Sequence, residues 1–335
     1  MRALVVVLAS VLTSCGGSSE PARSTTPSTP VAPTTPTAPV NTWSVAGTLV
    51  ETTSRQPLGG ATITPSWGLA AVQTGGDGAY ELGAVANPPT TPYKVSVSGP
   101  ELLTRDLWIT WQRGPRADVT IDAIRLRPPF NNDFYRQFVR GTYDHTDAPY
   151  ANFRLMESPR FYVKTVDQNN RAIEPEVLAV VREALGRAVT EYSAGKLSAL
   201  AIESGTETRP GATGWINVNI ERTNDRTVCG RAFVGANPGT ITLYDDVCSC
   251  GSNKIPGALV LHEVGHALGF FHVGDRSSVM YPFLPGNCPA GQLSAAEKFH
   301  AAIAYSRPRG NLEPDVDPSN VGPFLAPAQG VLVER

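Results

Sequence analysis

The sequence lacks a surplus of positive charge: 28 Lys and Arg stand against 30 Asp and Glu, a formal net charge of −2. Nucleic-acid backbones are bound mainly through clustered basic residues, so this balance argues against a nucleic-acid partner. Charged residues make up only 17% of the chain, whereas its 335 residues include 31 Gly and 29 Pro. This composition argues against a coiled coil or helical bundle, and the length is sufficient for two domains.

Long hydrophobic runs are also scarce, and the pronounced one covers residues 3–12. A bilayer core of about 30 Å needs about 20 apolar residues in a helix, so this run predicts a cleaved secretory signal. The sequence Leu12-Thr13-Ser14-Cys15 resembles the bacterial lipobox, in which cleavage precedes a lipid-bearing Cys. The resemblance implies a signal peptide at residues 1–14 and a lipid on Cys15. The alternative is a plain secretory signal that is cut near Ser14.

Residues 15–41 contain mainly Ser, Thr, Pro, Ala and Gly. Such a segment has too little apolar surface to offset the entropy of ordering, and its prolines favour an extended chain. We expect a tether that holds a monomeric folded part away from a membrane. The predicted location is outside the cytoplasm, on a membrane-anchored lipoprotein that faces the periplasm or the cell surface.

Besides Cys15 the chain has four cysteines: Cys229, Cys248, Cys250 and Cys288. Outside the cytoplasm an even set of this kind predicts two disulfides. The close pair Cys248 and Cys250 would also suit zinc, but no second close Cys pair or nearby His accompanies it. Four cysteines allow three pairings, and the sequence does not choose between them.

Residues 42–127 are predicted to form a small β-sandwich. Short alternating stretches are separated by Gly- and Pro-rich turns, at residues 44–50, 61–64, 79–82, 93–97, 107–111 and 118–126. The segments Gln-Pro-Leu-Gly-Gly-Ala-Thr-Ile at 56–63 and Thr-Gly-Gly-Asp-Gly-Ala-Tyr-Glu-Leu at 74–82 resemble the carboxypeptidase regulatory-like domain. That resemblance implies a transthyretin-like all-β fold without catalytic residues, which serves as a spacer or binding module.

Residues 128–306 are predicted to form an α+β domain. Residues 174–192 have one apolar stripe with a helical period, and Pro175 lies where the first turn tolerates it. Alternating apolar residues predict strands at 160–166, 216–220 and 240–244. We therefore expect a mixed, twisted sheet with a long helix packed on it. The Pro- and Gly-rich residues 307–335 are interpreted as an extended tail without an assigned role.

The segment from His262 to His272 contains the candidate metal ligands and the candidate catalytic base. His262 and His266 are four residues apart, so on a helix their imidazoles lie one turn apart on the same face and can bind one ion. Glu263 lies beside such an ion and can take a proton from its water. Gly269 allows the chain to leave the helix sharply, which brings His272 back as a third ligand. Three imidazoles leave one position open for water, as in catalytic zinc sites.

The full spacing, followed by Ser-Val-Met-Tyr-Pro at 278–282, resembles the metzincin clan of zinc endopeptidases, and within it the matrixins. The resemblance implies a zincin-like fold with one catalytic zinc held by the three histidines and Glu263 as the base. It also implies that Met280 forms an apolar floor below the metal and that Tyr281 and Pro282 line the substrate pocket. The strand at 240–245 corresponds by chain order to an open edge strand that takes the substrate.

Some residues depart from the matrixin pattern. Val273 follows the third ligand where matrixins usually have a small polar residue, and no Pro-Arg-Cys-Gly latency segment is present. Residues 144–147 (Asp-His-Thr-Asp) could suggest a metal site, but a solvated loop is the preferred interpretation. Calcium at Asp245 and Asp246 is a further option that no other sequence feature supports. Ser294 and Glu297 form a predicted capping box for a last helix.

The sequence thus predicts a zinc-dependent endopeptidase whose partner is a polypeptide substrate. The mature chain would be lipid-anchored and secreted, with one zinc ion as its cofactor. The alternative is a non-catalytic surface binding module in which the zinc site is vestigial or structural. Glu263 speaks against that alternative, because a site without catalysis has no need of the base.

Overall fold

The computed structural model describes residues 43–66, 68–85, 92–109, 116–146, 149–225, 227–248, 254–283, 291–319 and 331–333. Residues 41–335 cluster as one unit. The predicted signal peptide, Cys15 and the tether lie outside the described residues. None of the helices in the described ranges is both long and apolar enough to cross a membrane.

The first part of the described chain is a β-sandwich with seven strands: β1 (Trp43–Glu51), β2 (Thr62–Pro65), β3 (Val72–Gln73), β4 (Ala79–Val85), β5 (Tyr93–Ser98), β6 (Arg105–Ile109) and β7 (Arg116–Ala123). One sheet has the order β4-β1-β7 and the other β3-β2-β5-β6. Alternate side chains of both sheets point into a single buried cluster. The predicted strands are present, and β3 was not predicted. The transthyretin-like relationship stays a prediction.

The second part is a mixed α/β structure. Its elements are α1 (Asn132–Arg140), β8 (Arg160–Lys164), α2 (Pro175–Tyr192), β9 (Ala201–Gly205), β10 (Trp215–Glu221), β11 (Gly230–Phe233), β12 (Gly239–Tyr244), α3 (Gly257–Ala267), α4 (Ala295–Ser306) and β13 (Val331–Val333). The sheet order is β13-β11-β12-β10-β8-β9. The predicted helix and strands are confirmed to within about two residues, whereas α1, β9, β11 and β13 were not predicted.

The long helix α2 has the predicted amphipathic form. Pro175 occupies the first turn, where a missing backbone N–H costs no hydrogen bond. The buried side chains fall on one stripe: Val177, Val181, Ala184, Leu185, Ala188, Val189 and Tyr192. They join the apolar side chains of α3 and of the sheet in one large core. This core fixes α3 between α2 and the sheet.

The prediction that the strand at 240–245 is an edge strand is wrong. β12 pairs in parallel with β10 on one side and antiparallel with β11 on the other, so it lies inside the sheet. β11 lies outside β12, and its other edge pairs antiparallel with β13. The sequence did not show this because β11 has only four residues and begins with Gly230, which weakens the strand pattern.

Residues 307–319, which we call the C-terminal strap, pack against the sandwich. Arg307 is fully buried, and its guanidinium lies 2.7 Å from Asp315 Oδ1 and 2.5 Å from Asp122 Oδ2 on β7. Arg105 on β6 contacts Asp122 and lies 2.9 Å from Asp317 Oδ2. This paired set of buried charges joins the sandwich to the second part of the chain. The first half of the predicted tail is thus a packed segment in the structure.

One predicted disulfide is present, between Cys229 and Cys248. It connects the residue before β11 to the segment after β12. Cys250 and Cys288 lie outside the described residues, so their pairing stays a prediction.

Candidate metal centre

Helix α3 presents the first two candidate ligands. It begins after Pro256 and is buried along nearly its whole length, with Leu259, Leu261 and Val264 fully covered. His262 and His266 are 1% exposed each, and their rings lie 4.6 Å apart between centroids. The helix therefore carries two imidazoles within the protein interior, on the same side, as the spacing predicts.

Gly269 makes the turn that the sequence predicts. Its φ is +107°, in the region that favours glycine, and a Cβ at this position would lie 2.6 Å from the backbone N of Arg154. The chain then reverses, and the Phe271 N–H donates to Phe138 O on α1 at 2.9 Å. This path returns His272, which is 2% exposed, to the first two histidines.

The three Nε2 atoms converge on one point. The distance from His262 Nε2 to His266 Nε2 is 3.0 Å, and both lie 3.2 Å from His272 Nε2. The ligand atoms of a tetrahedral zinc ion, at about 2.0–2.1 Å from the metal, are about 3.3 Å apart. The observed triangle fits one such ion. Within the described residues these three histidines are the one group with enough ligand atoms for a metal.

The Nδ1 atoms of the same rings face hydrogen-bond acceptors. His262 Nδ1 lies 2.8 Å from Val279 O, and His266 Nδ1 lies 2.8 Å from Phe270 O. A carbonyl oxygen can only accept, so both rings carry their proton on Nδ1 and keep a lone pair on Nε2. Lone pairs that face each other at 3.0 Å repel unless a cation lies between them. The donor set therefore fits a bound metal ion.

Burial keeps these imidazoles neutral. Burial lowers the pKa of His262 to about 3, with a further decrease from the neighbouring His272. Burial also lowers the pKa of His266 well below its ordinary value, with contributions from His262 and His272. Neutral imidazole is the form that ligates zinc, so His262 and His266 need no deprotonation near pH 7.

Glu263 is fully buried next to the histidines on α3 and faces strand β11. A Cβ on Gly230 would lie 2.5 Å from Glu263 Oε1 and 2.9 Å from its Cδ. Only a glycine at the start of β11 therefore lets the carboxylate occupy this place. The sequence had assigned no role to Gly230, and a glycine inside a strand was the signal that could have drawn attention to it.

Met280 packs against helix α3, and its role as the floor below a metal stays a prediction. It is fully buried, and its Sδ accepts a hydrogen bond from the Tyr192 hydroxyl at 3.1 Å. A Cβ on Gly265 would lie 2.5 Å from the same sulfur, which explains the glycine inside the motif. The Val273 N–H donates to Met280 O at 3.0 Å and closes the loop between the third histidine and Met280.

A carboxylate from α4 anchors the loop around Met280. Glu297 Oε1 accepts from Ser278 Oγ at 2.6 Å and from the Met280 N–H at 3.2 Å. Its Oε2 accepts from the Ser294 N–H at 2.6 Å, and Ser294 Oγ accepts in return from the Glu297 N–H. The predicted capping box is confirmed. Its contact with the Met280 loop was not predicted, because it depends on how α4 packs.

The remaining candidates are placed as follows. Tyr281 is half-buried and makes an edge contact with the exposed Phe283, with centroids 5.6 Å apart, while Pro282 is buried. Residues 284–290 lie outside the described ranges, so the pocket wall stays a prediction. Asp245 lies 3.3 Å from Arg222, and Asp246 accepts from the Thr223 N–H, so both carboxylates have other partners.

Solved structures share limited likeness with the chain. Two interface mutants of the type II cohesin–X-dockerin complex from Acetivibrio cellulolyticus match at 20% and 17% identity, over 24% and 25% of this chain and 51% and 58% of theirs, with TM-scores of 0.18 and 0.20. A protein of unknown function from Bacteroides fragilis NCTC 9343, described as membrane-associated, matches at 14% identity over 45% of this chain and 40% of that one, with a TM-score of 0.22. The chain thus spans about half the length of these structures, and TM-scores of this size support no inference.

A family comparison matches the metal-site segment. No curated protein matches the chain. The family model of the matrixins (Peptidase_M10) matches residues 252–298, which include the three histidines, Glu263, Met280 and Glu297. This segment of the chain is therefore similar to a matrixin, a similarity that suggests a zinc metalloprotease.

Proposed function

We propose that the chain is a zinc-dependent endopeptidase of the metzincin type that hydrolyses peptide bonds within extended polypeptides. The observation that carries this proposal is the triangle formed by the Nε2 atoms of the three histidines, which lie 3.0–3.2 Å apart. The Nδ1 atom of each of these rings faces a hydrogen-bond acceptor. Its three ligands come from the protein, which leaves a fourth position for water or substrate. Glu263 lies on the same helix and supplies a base.

Each residue of the proposed site has a distinct role. His262, His266 and His272 would hold the zinc ion, which when bound would supply a Lewis acid for the scissile carbonyl and for water. The Glu263 carboxylate takes the proton of the attacking water and delivers it to the leaving amine nitrogen. Met280 and Tyr192 contact each other and pack against Gly265 of the helix that carries the first two histidines.

An extended substrate would bind along the outer edge of β11. β11 begins at Gly230, against Glu263, and its outer backbone groups can pair with an added strand. In the structure this edge already pairs antiparallel with β13, in the register Phe233 with Val331 and Arg231 with Val333. A substrate strand would therefore replace β13 on β11.

The decisive test replaces Glu263 by Gln. The zinc content should stay at the wild-type level, because the three ligands are unchanged, while cleavage of an unfolded protein should fall by about 10²–10⁴-fold. The matched control is Glu176→Gln, the same change at an exposed position of α2, which should retain full activity. A chelator should stop cleavage by the wild type.

The non-catalytic alternative gives a different result. A binding module with a structural zinc would bind the metal and cleave nothing, with or without Glu263. Undiminished cleavage by the Glu263→Gln chain would contradict the assigned role of Glu263. Zinc binding without any cleavage by the wild-type chain would favour the binding module.

We also propose that the mature chain is exported and held at a membrane by lipid on Cys15, with residues 15–41 as tether and the sandwich as a non-catalytic module. The lipobox resemblance and the composition of the tether support this. Replacing Cys15 by Ser should move the chain from the membrane fraction to the soluble fraction of the producing cells. Its continued presence in washed membranes would contradict lipid anchoring.

A further inference from the structure

The loop after α1 brings a carboxylate to the third histidine. Asp144 Oδ1 and Oδ2 lie 3.1 and 3.0 Å from His272 Nδ1. His262 and His266 use backbone carbonyl oxygens at the same ring position. Among the three candidate ligands, His272 is therefore the one whose Nδ1 faces a charged side chain. From the sequence, a solvated loop was preferred here to a metal site.

Two hydrogen bonds, donated by backbone N–H groups on either side of His272, hold this segment. The Phe271 N–H donates to Phe138 O at 2.9 Å, and the Gly274 N–H donates to Gln137 Oε1 at 2.8 Å. Both acceptors belong to α1. The segment with His272 is therefore clamped to the end of α1 independently of Asp144.

The loop that carries Asp144 packs on the same segment. Gly141 ends α1 with a φ of 68°, and the chain then turns back. Tyr150 stacks on Phe271 with the ring centroids 5.3 Å apart and the planes 1° from parallel. The Asp144 side chain is 21% exposed and that of His272 is 3% exposed, so water screens their contact only in part. The carboxylate is placed by the surrounding packing as well as by its bond to the ring.

We propose that Asp144 is a positioning residue for the metal centre. Its carboxylate accepts the Nδ1–H of His272, which orients the ring and keeps the Nε2 lone pair directed at the metal. This inference rests on the proposed zinc function. A charged acceptor makes a stronger hydrogen bond than a carbonyl does and raises the basicity of the ligating nitrogen. Loss of such a partner typically weakens metal binding by about 10–100-fold.

The test measures the zinc dissociation constant of the full chain by competition with a chromophoric chelator at neutral pH. Asp144→Ala should bind zinc about 10–100-fold more weakly than the wild type. Asp144→Asn should lie between the two, because its amide oxygen still accepts the hydrogen bond but carries no charge. The matched control is Asp133→Asn, at an exposed position on α1, which should bind zinc as the wild type does.

Two readouts separate positioning from a general structural role. The urea midpoint of the zinc-free chain should be unchanged in Asp144→Asn, and the visible absorption bands of the Co²⁺-loaded chain should shift, because the ligand field at His272 changes. Wild-type zinc affinity in Asp144→Asn and Asp144→Ala overturns the inference. If Asp144→Ala fails to fold without metal, wild-type affinity and an unshifted Co²⁺ spectrum in Asp144→Asn overturn it alone.

The same measurements distinguish this inference from the proposed function. A wild-type chain that binds no zinc refutes the zinc endopeptidase itself. A wild-type chain that binds zinc and cleaves protein, with affinities that do not depend on Asp144, leaves the endopeptidase intact and refutes only the role of Asp144.

Discussion

Replacing Glu297 by Gln tests whether the cap of α4 also holds the loop around Met280. The carboxylate is fully buried and accepts from Ser294 N, Met280 N and Ser278 Oγ at 2.6, 3.2 and 2.6 Å. A carboxamide has one accepting oxygen, so its NH₂ group must face either the Ser294 N–H or the Met280 N–H. A hydrogen bond to a charged group contributes about 1.5–3 kcal/mol, and a buried donor without an acceptor costs about 1–3 kcal/mol. We expect the free energy of unfolding to fall by about 2–4 kcal/mol.

The matched control for this substitution is Ser294→Ala. It removes the side chain that accepts from the Glu297 N–H at 3.1 Å and leaves the contacts of Met280 in place. Loss of a helix cap of this kind costs about 1 kcal/mol. Urea unfolding of the zinc-free chains measures both values. If Glu297→Gln lowers the free energy of unfolding no more than Ser294→Ala does, Glu297 acts only as a helix cap, and its anchoring of the Met280 loop is refuted.

Two further substitutions test the buried charges between the sandwich and the C-terminal strap, and the turn at Gly269. Burial raises the pKa of Asp122, but the charges of Arg307 and Arg105, together with the hydrogen bonds from Arg307 and Thr52, outweigh burial and hold this pKa well below its ordinary value. The charge of Asp122 therefore stabilises the fold fully above about pH 4, and this contribution is lost as the pH falls further. Below about pH 4 the free energy of unfolding should consequently fall less steeply with pH in Asp122→Asn than in the wild type, by up to about 1.4 kcal/mol per pH unit. Equal slopes in urea titrations of the two chains would contradict this. Gly269→Ala should weaken zinc binding and lower the free energy of unfolding more than Gly195→Ala does. Both glycines have a positive φ, but of the two only Gly269 has backbone where the Cβ would lie, at 2.6 Å from Arg154 N. Chelator competition and urea unfolding compare them, and equal losses would show that the close backbone does not matter.

Local patterns in the sequence were sufficient for much of the fold. The apolar stripe of α2 and the alternating residues of β10 and β12 predicted these elements, because helix and strand periods follow from which side faces the core. β11 and β9 were missed, since they are short and their burial depends on partners distant in the sequence. The edge strand was misassigned for the same reason: chain order does not state which strand pairs with which.

The spacing from His262 to His272 was by itself enough to predict the cluster of three histidines and the turn at Gly269, because one helix and one turn place them and both are local. The role of Glu263 as the base stays a prediction. The partners that tune these groups come from elsewhere in the chain. Asp144 reaches His272 from the end of α1, Gly230 makes room for Glu263 from β11, and Glu297 holds the Met280 loop from α4. Such contacts join residues far apart in sequence, and only the packing of helices and sheet brings them together.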